Sequence, residues 1–132
     1  MRSGLFSWSV ARRGIAAACL AGLAPSAGSG EGMLQYFNAS WNQIAEKVPE
    51  LAEAGYTSIW LPPPAKANGG YSVGYDLTDP FDLGSTAYRG TWTTRYGTEA
   101  ELLNLVELFH RFGIRVYFDN IMNHRAYDVP GY

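Results

Sequence analysis

Apolar residues follow two different rhythms along this chain, one typical of strands and one typical of helices. Short runs rich in aromatic and β-branched residues predict three strands, at residues 32–37, 56–61 and 114–118. Apolar residues that recur every three or four positions predict two helices, over residues 41–52 and 99–112. The predicted order is therefore strand, helix, strand, long loop, helix, strand.

Residues with defined capping roles mark the limits of both helices. Ser40 precedes the first helix, where its hydroxyl can accept a free backbone N–H, and residues 98–101 (Thr-Glu-Ala-Glu) form a capping box before the second. Gly55 and Gly113 follow the helices, because glycine adopts the left-handed cap conformation without a Cβ clash. Pro49 interrupts the first helical pattern, so we expect a bend or a split in that helix.

The loop between the second strand and the second helix is unusually long. Residues 62–64 are three prolines that stop the strand, and no helical pattern follows before Tyr96. Loops of this length are mostly functional or disordered, and the aromatic residues here argue against disorder. Asp76, Asp79 and Asp82 recur at three-residue spacing but lack the glycine and terminal glutamate of an EF-hand loop. We interpret these aspartates as turn formers.

Helices between successive strands predict an α/β fold with a parallel sheet and right-handed crossovers. The strands are nearly continuous in apolar residues, as expected where both faces of a sheet are covered. Two architectures fit, an open doubly wound sheet or the first three strands and two helices of an incomplete (β/α)8 TIM barrel. In both, ligands bind at the carboxyl ends of the strands.

The first thirty residues differ in composition from the rest. Arg12 and Arg13 belong to a basic start, residues 14–24 are apolar, and residues 25–30 are mostly small. This order predicts a signal peptide over residues 1–27 and a secreted or periplasmic protein, with general secretory and twin-arginine export both open. The apolar run is shorter than the roughly 20 residues that span a bilayer, so no stable membrane insertion is expected after cleavage.

Charge and cysteine content exclude several classes of function. The formal net charge of the 132 residues is -2 and no basic stripe is present, so we expect no nucleic-acid partner. Aromatic residues make up 14% of the chain, which is typical of carbohydrate-handling surfaces and equally compatible with a large core. The single cysteine, Cys19, lies in the predicted leader, so the mature chain is expected to have no disulfide and no thiol chemistry.

Three polar residues, Asp119, Asn123 and His124, follow directly on the third strand. Each has an ordinary explanation by itself, as a loop cap, a turn former and a surface histidine respectively. Together they form a compact polar group at the mouth of a buried strand. The imidazole can donate to a substrate hydroxyl, and the amide oxygen can bind a hard cation such as calcium.

Tyr71 and Tyr75 each follow a glycine in the long loop, and glycine lets the backbone turn sharply and present a ring. A flat ring can stack on the apolar face of a sugar. The alternative, a tyrosine that packs the loop onto the rest of the fold, is the better explanation for one of the two.

This set of residues resembles the α-amylase family of glycoside hydrolases. Residues 119–124 (Asp-Asn-Ile-Met-Asn-His) match the family's Asp-x-x-x-Asn-His region at the end of the third barrel strand, and residues 55–63 resemble its second-strand signature. Residues 71–84 and 95–98 resemble the loop and the helix start between them. The resemblance covers residues 32–132 and implies the barrel rather than the doubly wound sheet.

The resemblance implies a hydrolase that cleaves α-glucosidic bonds in starch-type glucans with retention of configuration. Asp119 would support the active site by orienting a catalytic arginine further along the chain. His124 would bind the sugar at the cleavage subsite, and Tyr71 would stack on that sugar, with Tyr75 as the fallback. Asn123 would help to hold a structural Ca2+, at a site that is incomplete in this chain because the family's other calcium ligands lie mostly in the inserted domain.

The resemblance also implies that no catalytic carboxylate is present, because the nucleophilic aspartate, the acid glutamate and the stabilising aspartate follow strands four, five and seven. Residues 28–132 are then expected to be the N-terminal part of the barrel, truncated near the inserted domain, inactive alone and poorly stable. The parent is expected to be a monomer that acts on α-glucan oligo- or polysaccharides, with endo-amylase, glucosidase and transferase activities all open. The rivals are a catalytically silent relative with a binding or structural role and a doubly wound domain, which is disfavoured because no Gly-rich phosphate loop follows a strand.

Overall fold

A parallel sheet with two helices on one side dominates the computed structural model, which describes residues 30–127 and residue 129. The predicted signal peptide and Cys19 lie outside the described residues. The elements in chain order are β1 (Met33–Gln35), α1 (Trp41–Glu53), β2 (Ser58–Leu61), β3 (Lys66–Ala67), β4 (Leu77–Asp79), α2 (Glu99–Arg111) and β5 (Arg115–Phe118). Within these described residues, no helix is long and apolar enough to cross a membrane.

The predicted alternation of strands and helices is confirmed. The sheet has the order β1-β2-β5, and both neighbouring pairs are parallel. Leu34 is paired with Ile59, and Ile59 with Val116, so side chains of like orientation share one face of the sheet. The carboxyl ends of β2 and β5 therefore meet at the same edge.

The hydrophobic core lies between one face of this sheet and the two helices. Its buried members include Ile59 and Leu61 of the sheet and Ile44 and Phe109 of the helices. The indole of Trp41 contacts the ring of Tyr96 at a centroid separation of 5.1 Å, which ties the end of the long loop to α1. Burial of these large side chains stabilises the fold by about 1.5–3 kcal/mol for each one removed from water.

The opposite face of the sheet is open to solvent within the described residues, so the prediction that both faces are covered was wrong for this part of the chain. Met33, Trp60 and Tyr117 lie on that face and are 51%, 37% and 44% exposed. The physical reason is geometric: three strands make a curved sheet and cannot close into a barrel that buries its own interior.

The residues that were predicted to cap the two helices do so in the structure. The Oγ of Ser40 accepts the backbone N–H of Gln43, and Thr98 and Glu101 form the expected capping box. Gly55 follows α1 with a φ of 87°. Pro49 does not split α1, which continues to Glu53. Pro49 lies on the exposed side of the helix and removes one backbone hydrogen bond. The free energy lost with that bond is smaller than the free energy gained by packing the buried side of the helix.

The long loop contains no helix before α2, as predicted, but it does contain a small antiparallel hairpin that sequence analysis missed. Lys66 of β3 pairs with Asp79 of β4, and Ala67 pairs with Leu77 across a register shift. These strands are too short to show an alternating pattern, and β3 begins with a lysine, a residue that is rarely buried unless it is paired. The hairpin carries residues 68–76 between its strands.

Candidate functional site

The loop that follows β5 bends back onto the hairpin that follows β2. The backbone N–H of Asp119 donates to the carbonyl of Leu61 at 3.0 Å, which extends the parallel pairing beyond β5. Further along, the N–H of Ala126 donates to the carbonyl of Leu77 at 2.7 Å. These contacts bring the residue 119–125 segment beside the hairpin at the carboxyl edge of the sheet.

Tyr75 links two of the residues that the sequence singled out after β5. Its hydroxyl donates to Oδ2 of Asp119 at 2.5 Å. Its backbone carbonyl lies 2.8 Å from Nε2 of His124. A carbonyl oxygen can only accept, so Nε2 carries the hydrogen and Nδ1 of the neutral ring is the acceptor. Asp119, Tyr75 and His124 thus form one hydrogen-bonded set.

The hydrogen bond from Tyr75 to Asp119, helped by burial and by the carboxylate charge, raises the pKa of the phenol to about 12. The neutral phenol is therefore the form that this site stabilises. The Tyr75 side chain is nevertheless 43% exposed, so it keeps an open surface while its hydroxyl is fixed. A ring held at its polar end and open to solvent is a suitable platform for an apolar ligand face.

Tyr71 occupies a different position in the same loop. Its side chain is 93% exposed, and its carbonyl accepts a hydrogen bond from Nη1 of Arg95 at 2.8 Å. Both tyrosines line one groove, together with Asn68, Ser72, Val73 and Asp76. The structure thus brings Tyr75, the predicted fallback, to Asp119 and His124 and leaves the Tyr71 side chain exposed in the groove. Which ring stacks on a sugar stays a prediction.

Asn123 lies on the surface in a second groove, beside His124 and Arg125 and opposite Pro80 and Phe81. A calcium ion takes six to eight oxygen ligands, whereas Asn123 contributes one side-chain oxygen. Among residues 30–127 and 129, no group of three or more His, Cys, Asp or Glu side chains is placed to hold a metal. The expected calcium site was an incomplete one, and whether Asn123 binds calcium stays a prediction.

The three spaced aspartates of the long loop are turn formers, as predicted. Asp76 accepts from the hydroxyl of Ser72, and Oδ1 of Asp79 accepts the N–H of Phe81 at 2.9 Å. Asp82 has an additional contact that sequence reasoning missed, because its Oδ2 lies 3.5 Å from Nζ of the buried Lys66. The sequence carries no local signal for this pair, because Lys66 lies in the short strand β3 and Asp82 lies in the loop after β4, so the contact depends on how the loop packs.

Comparison with known proteins identifies the fold as part of a known catalytic barrel. Residues 25–132 match the family described as the α-amylase catalytic domain. Relatives include the cytoplasmic α-amylase of Escherichia coli K12, 42% identical over 86 residues that cover 64% of this chain and 17% of that protein. The α-amylase of Geobacillus stearothermophilus is 34% identical over 101 residues, which cover 71% of this chain and 18% of that protein.

The solved structures agree at the level of the fold. The α-amylase of Geobacillus thermoleovorans, complexed with acarbose, superposes with a TM-score of 0.62 at 24% identity and covers 76% of this chain and 24% of that one. This likeness excludes the doubly wound alternative. The chain spans less than a fifth of the length of the two α-amylases compared above, at 17% and 18%. The chain thus belongs to the α-amylase family of glycoside hydrolases, and its three parallel strands and two helices match part of the family's (β/α)8 catalytic barrel.

Proposed function

We propose that this chain supplies part of the glucan-binding face of a hydrolase that cleaves α-glucosidic bonds in starch-type glucans with retention of configuration. The observation that carries the proposal is the hydrogen-bonded set of Tyr75, Asp119 and His124, which lies at the carboxyl edge of a family barrel sheet. Active sites of such barrels are built at that edge.

The three side chains offer complementary contacts to a glucose unit. The ring of Tyr75 packs against the apolar face of the sugar, a contact worth about 0.5–1.5 kcal/mol beyond the area buried. Nδ1 of His124 accepts from a sugar hydroxyl, because Nε2 is occupied by the carbonyl of Tyr75. Asp119 uses Oδ2 for Tyr75 and presents Oδ1 to a further donor, such as the guanidinium that the family resemblance implies.

Tyr71 extends the same surface outward as a second platform. Its ring is almost fully exposed, and the Arg95 bond fixes its backbone rather than its side chain. A glucan that crosses both rings would span more than one sugar unit. The natural ligand in this proposal is therefore an oligo- or polysaccharide rather than a single glucose.

Bond cleavage in this proposal uses groups that the chain does not supply. Retaining hydrolysis needs two carboxyl groups about 5–5.5 Å apart across the scissile bond. Asp119 is already engaged with Tyr75 and acts as a support. We propose that the chain by itself binds glucans without cleaving them.

Two further parts of the proposal concern calcium and export. Asn123 gives one oxygen to a calcium site whose other ligands come from outside the described residues. Residues 1–27 direct the export of the protein.

The test is a binding titration of the purified chain with maltoheptaose, with cellohexaose as the β-linked control. We expect binding to maltoheptaose only, at least fivefold weaker in Tyr75→Ala and in His124→Ala. Phe112→Ala is the matched control, because Phe112 is 44% exposed against 43% for Tyr75 but lies just before the start of β5, at the opposite end of the sheet. Equal affinity of wild type, Tyr75→Ala and His124→Ala would contradict the proposal, and so would equal affinity for both sugars.

A further inference from the structure

Lys66 is a buried lysine at the start of the hairpin that carries Tyr75. Its side chain is 2% exposed. Nζ donates to the carbonyls of Thr86 and Trp92 at 2.9 and 2.6 Å and lies 3.5 Å from Oδ2 of Asp82. Two hydrogen bonds to carbonyls and one ion pair thus surround the buried ammonium group and compensate its charge.

Asp82 is the counter-ion and is equally enclosed, at 4% exposure. Its Oδ1 accepts the backbone N–H groups of Gly84 and Ser85 at 2.8 and 2.7 Å, and its Oδ2 accepts the hydroxyl of Thr86 at 2.5 Å. The ion pair therefore holds a whole turn of the long loop, not a single residue. We call Lys66, Asp82 and the bonds they make the clasp.

The clasp also closes the base of the hairpin. The backbone N–H of Lys66 donates to the carbonyl of Asp82 at 2.7 Å. The carbonyl of Lys66 accepts from the hydroxyl of Thr78 in β4 at 3.0 Å. The two chain segments that lead to and from the Tyr75 loop are thus joined at one buried point.

Two residues that follow the clasp in the sequence donate hydrogen bonds to the tip of the hairpin. Arg95 donates to the carbonyl of Tyr71, and the hydroxyl of Tyr96 donates to the carbonyl of Val73 at 2.9 Å. Both carbonyls lie within four residues of Tyr75. The carbonyls of Thr86 and Trp92, fixed by Lys66, set the course of the segment that delivers these two donors.

We propose that Lys66 and Asp82 are positioning residues for the glucan site, because their buried ion pair fixes the segment that places the Tyr75 ring against Asp119. Neither residue contacts the sugar. The expected effect of Lys66 and Asp82 on glucan binding rests on the proposed function. Their expected effect on the hydrogen bond between Tyr75 and Asp119 rests only on the contacts described above.

The test compares Lys66→Met with Lys47→Met in the full chain. Lys47 is a matched control because it also pairs with an acid, Glu50 at 2.9 Å, but on the exposed surface of α1. Two readouts are needed: the affinity for maltoheptaose and the NMR signal of Cζ of Tyr75 in tyrosine-labelled protein. We expect Lys66→Met to weaken binding at least tenfold and to move the Cζ signal to its position in Asp119→Asn, with unchanged helical circular dichroism. Lys47→Met should change neither readout.

A folded Lys66→Met protein with wild-type affinity and a wild-type Tyr75 signal would overturn the inference. If Lys66→Met does not fold, Asp82→Asn replaces it. The amide oxygen still accepts the loop N–H groups, whereas the amide NH2 replaces Oδ2, which removes the charge and the acceptor that faces Lys66 and Thr86. The same shift of the Tyr75 signal in Asp82→Asn supports the clasp, and an unshifted signal refutes it. If the wild-type chain binds no maltoheptaose, the proposed function fails, while the Tyr75 signal still decides the inference about the clasp.

Discussion

Tyr75 is held by two hydrogen bonds of different kinds, one through its hydroxyl and one through its backbone carbonyl. The first orients the ring, and the second attaches the loop after β5 to the hairpin. Tyr75 therefore both offers a ring to a ligand and holds the hairpin to the loop after β5. Tyr71 lies four positions earlier, and its carbonyl accepts a hydrogen bond from Arg95.

The raised pKa of Tyr75 predicts a specific response to alkaline pH. The hydrogen bond to Asp119 raises the folded pKa to about 12 from an ordinary value of 10.0. The stabilisation by the neutral phenol is therefore fully present below pH 10 and is lost as pH rises towards 12. Urea denaturation should show wild type more stable than Tyr75→Phe at pH 8, and the difference should shrink above pH 10. A difference that stays constant up to pH 12 would contradict the hydrogen bond.

Asp82 predicts the opposite behaviour in acid. Burial alone would raise its pKa, but the hydroxyl of Thr86, the N–H groups of Ser85 and Gly84 and the charge of Lys66 outweigh burial and lower the pKa from 3.8 to about 2. Its stabilisation is present above pH 3.8 and is lost as pH falls towards 2. At neutral pH the shift corresponds to about 2 kcal/mol. We expect the stability difference between wild type and Asp82→Asn to narrow below pH 4, measured by urea denaturation at each pH.

Among the elements, the β3–β4 hairpin is the one that carries the site, and its shape depends on a close approach at Gly74. A Cβ at Gly74 would lie 2.7 Å from Cβ of Pro63, and the φ of Gly74 is 111°. The tight packing of the loop against the proline run after β2 leaves no room for a side chain. Gly74, the residue before Tyr75, thus packs against Pro63, which follows β2.

This contact predicts that Gly74→Ala is more harmful than Gly69→Ala. Gly69 has a nearly identical φ of 113° but no heavy atom within 4 Å of a Cβ placed there, so it carries the same backbone strain without the clash. We expect Gly74→Ala to lower the free energy of unfolding by about 1–3 kcal/mol more than Gly69→Ala does. Thermal denaturation of the two variants measures this difference, and equal stability would show that Pro63 moves away at little cost.

The molecule as a whole has a covered and an uncovered side. Two helices shield one face of the sheet, whereas Met33, Trp60 and Tyr117 remain partly exposed on the other within the described residues. The outer edges of β1 and β5 have no neighbouring strand in this part of the chain. Open edges beside an apolar face favour self-association.

We therefore expect the purified chain to self-associate at high concentration, and Tyr117→Glu to reduce that association. Leu103→Glu is the control, because Leu103 is 56% exposed on α2, away from the open face of the sheet. Analytical ultracentrifugation of the three proteins gives the measurement. A wild-type chain that stays monomeric, or a Leu103→Glu variant that dissociates as readily as Tyr117→Glu, would show that the open face is not responsible.

Local signals in the sequence were sufficient for the elements and for one half of the site. Helix capping depends on residues close together in the sequence, as in the capping boxes at Ser40 and Thr98 and the glycine after α1. Such short-range interactions can be predicted from a few neighbouring residues. Asp119 and His124 were found for the same reason, because they follow directly on a recognisable strand. The family resemblance rests on these local segments as well.

The other half of the site depends on contacts between distant parts of the chain. Tyr75 meets Asp119 and His124 across 44 and 49 residues, and Lys66 meets Trp92 across 26. The sequence by itself determined which segments form strands and helices and which polar residues stand at a strand end. Only the tertiary structure decided that Tyr75 rather than Tyr71 reaches that end and that Lys66 is buried, because a hydrogen bond between remote residues depends on how the loops pack and leaves no periodic pattern in the sequence.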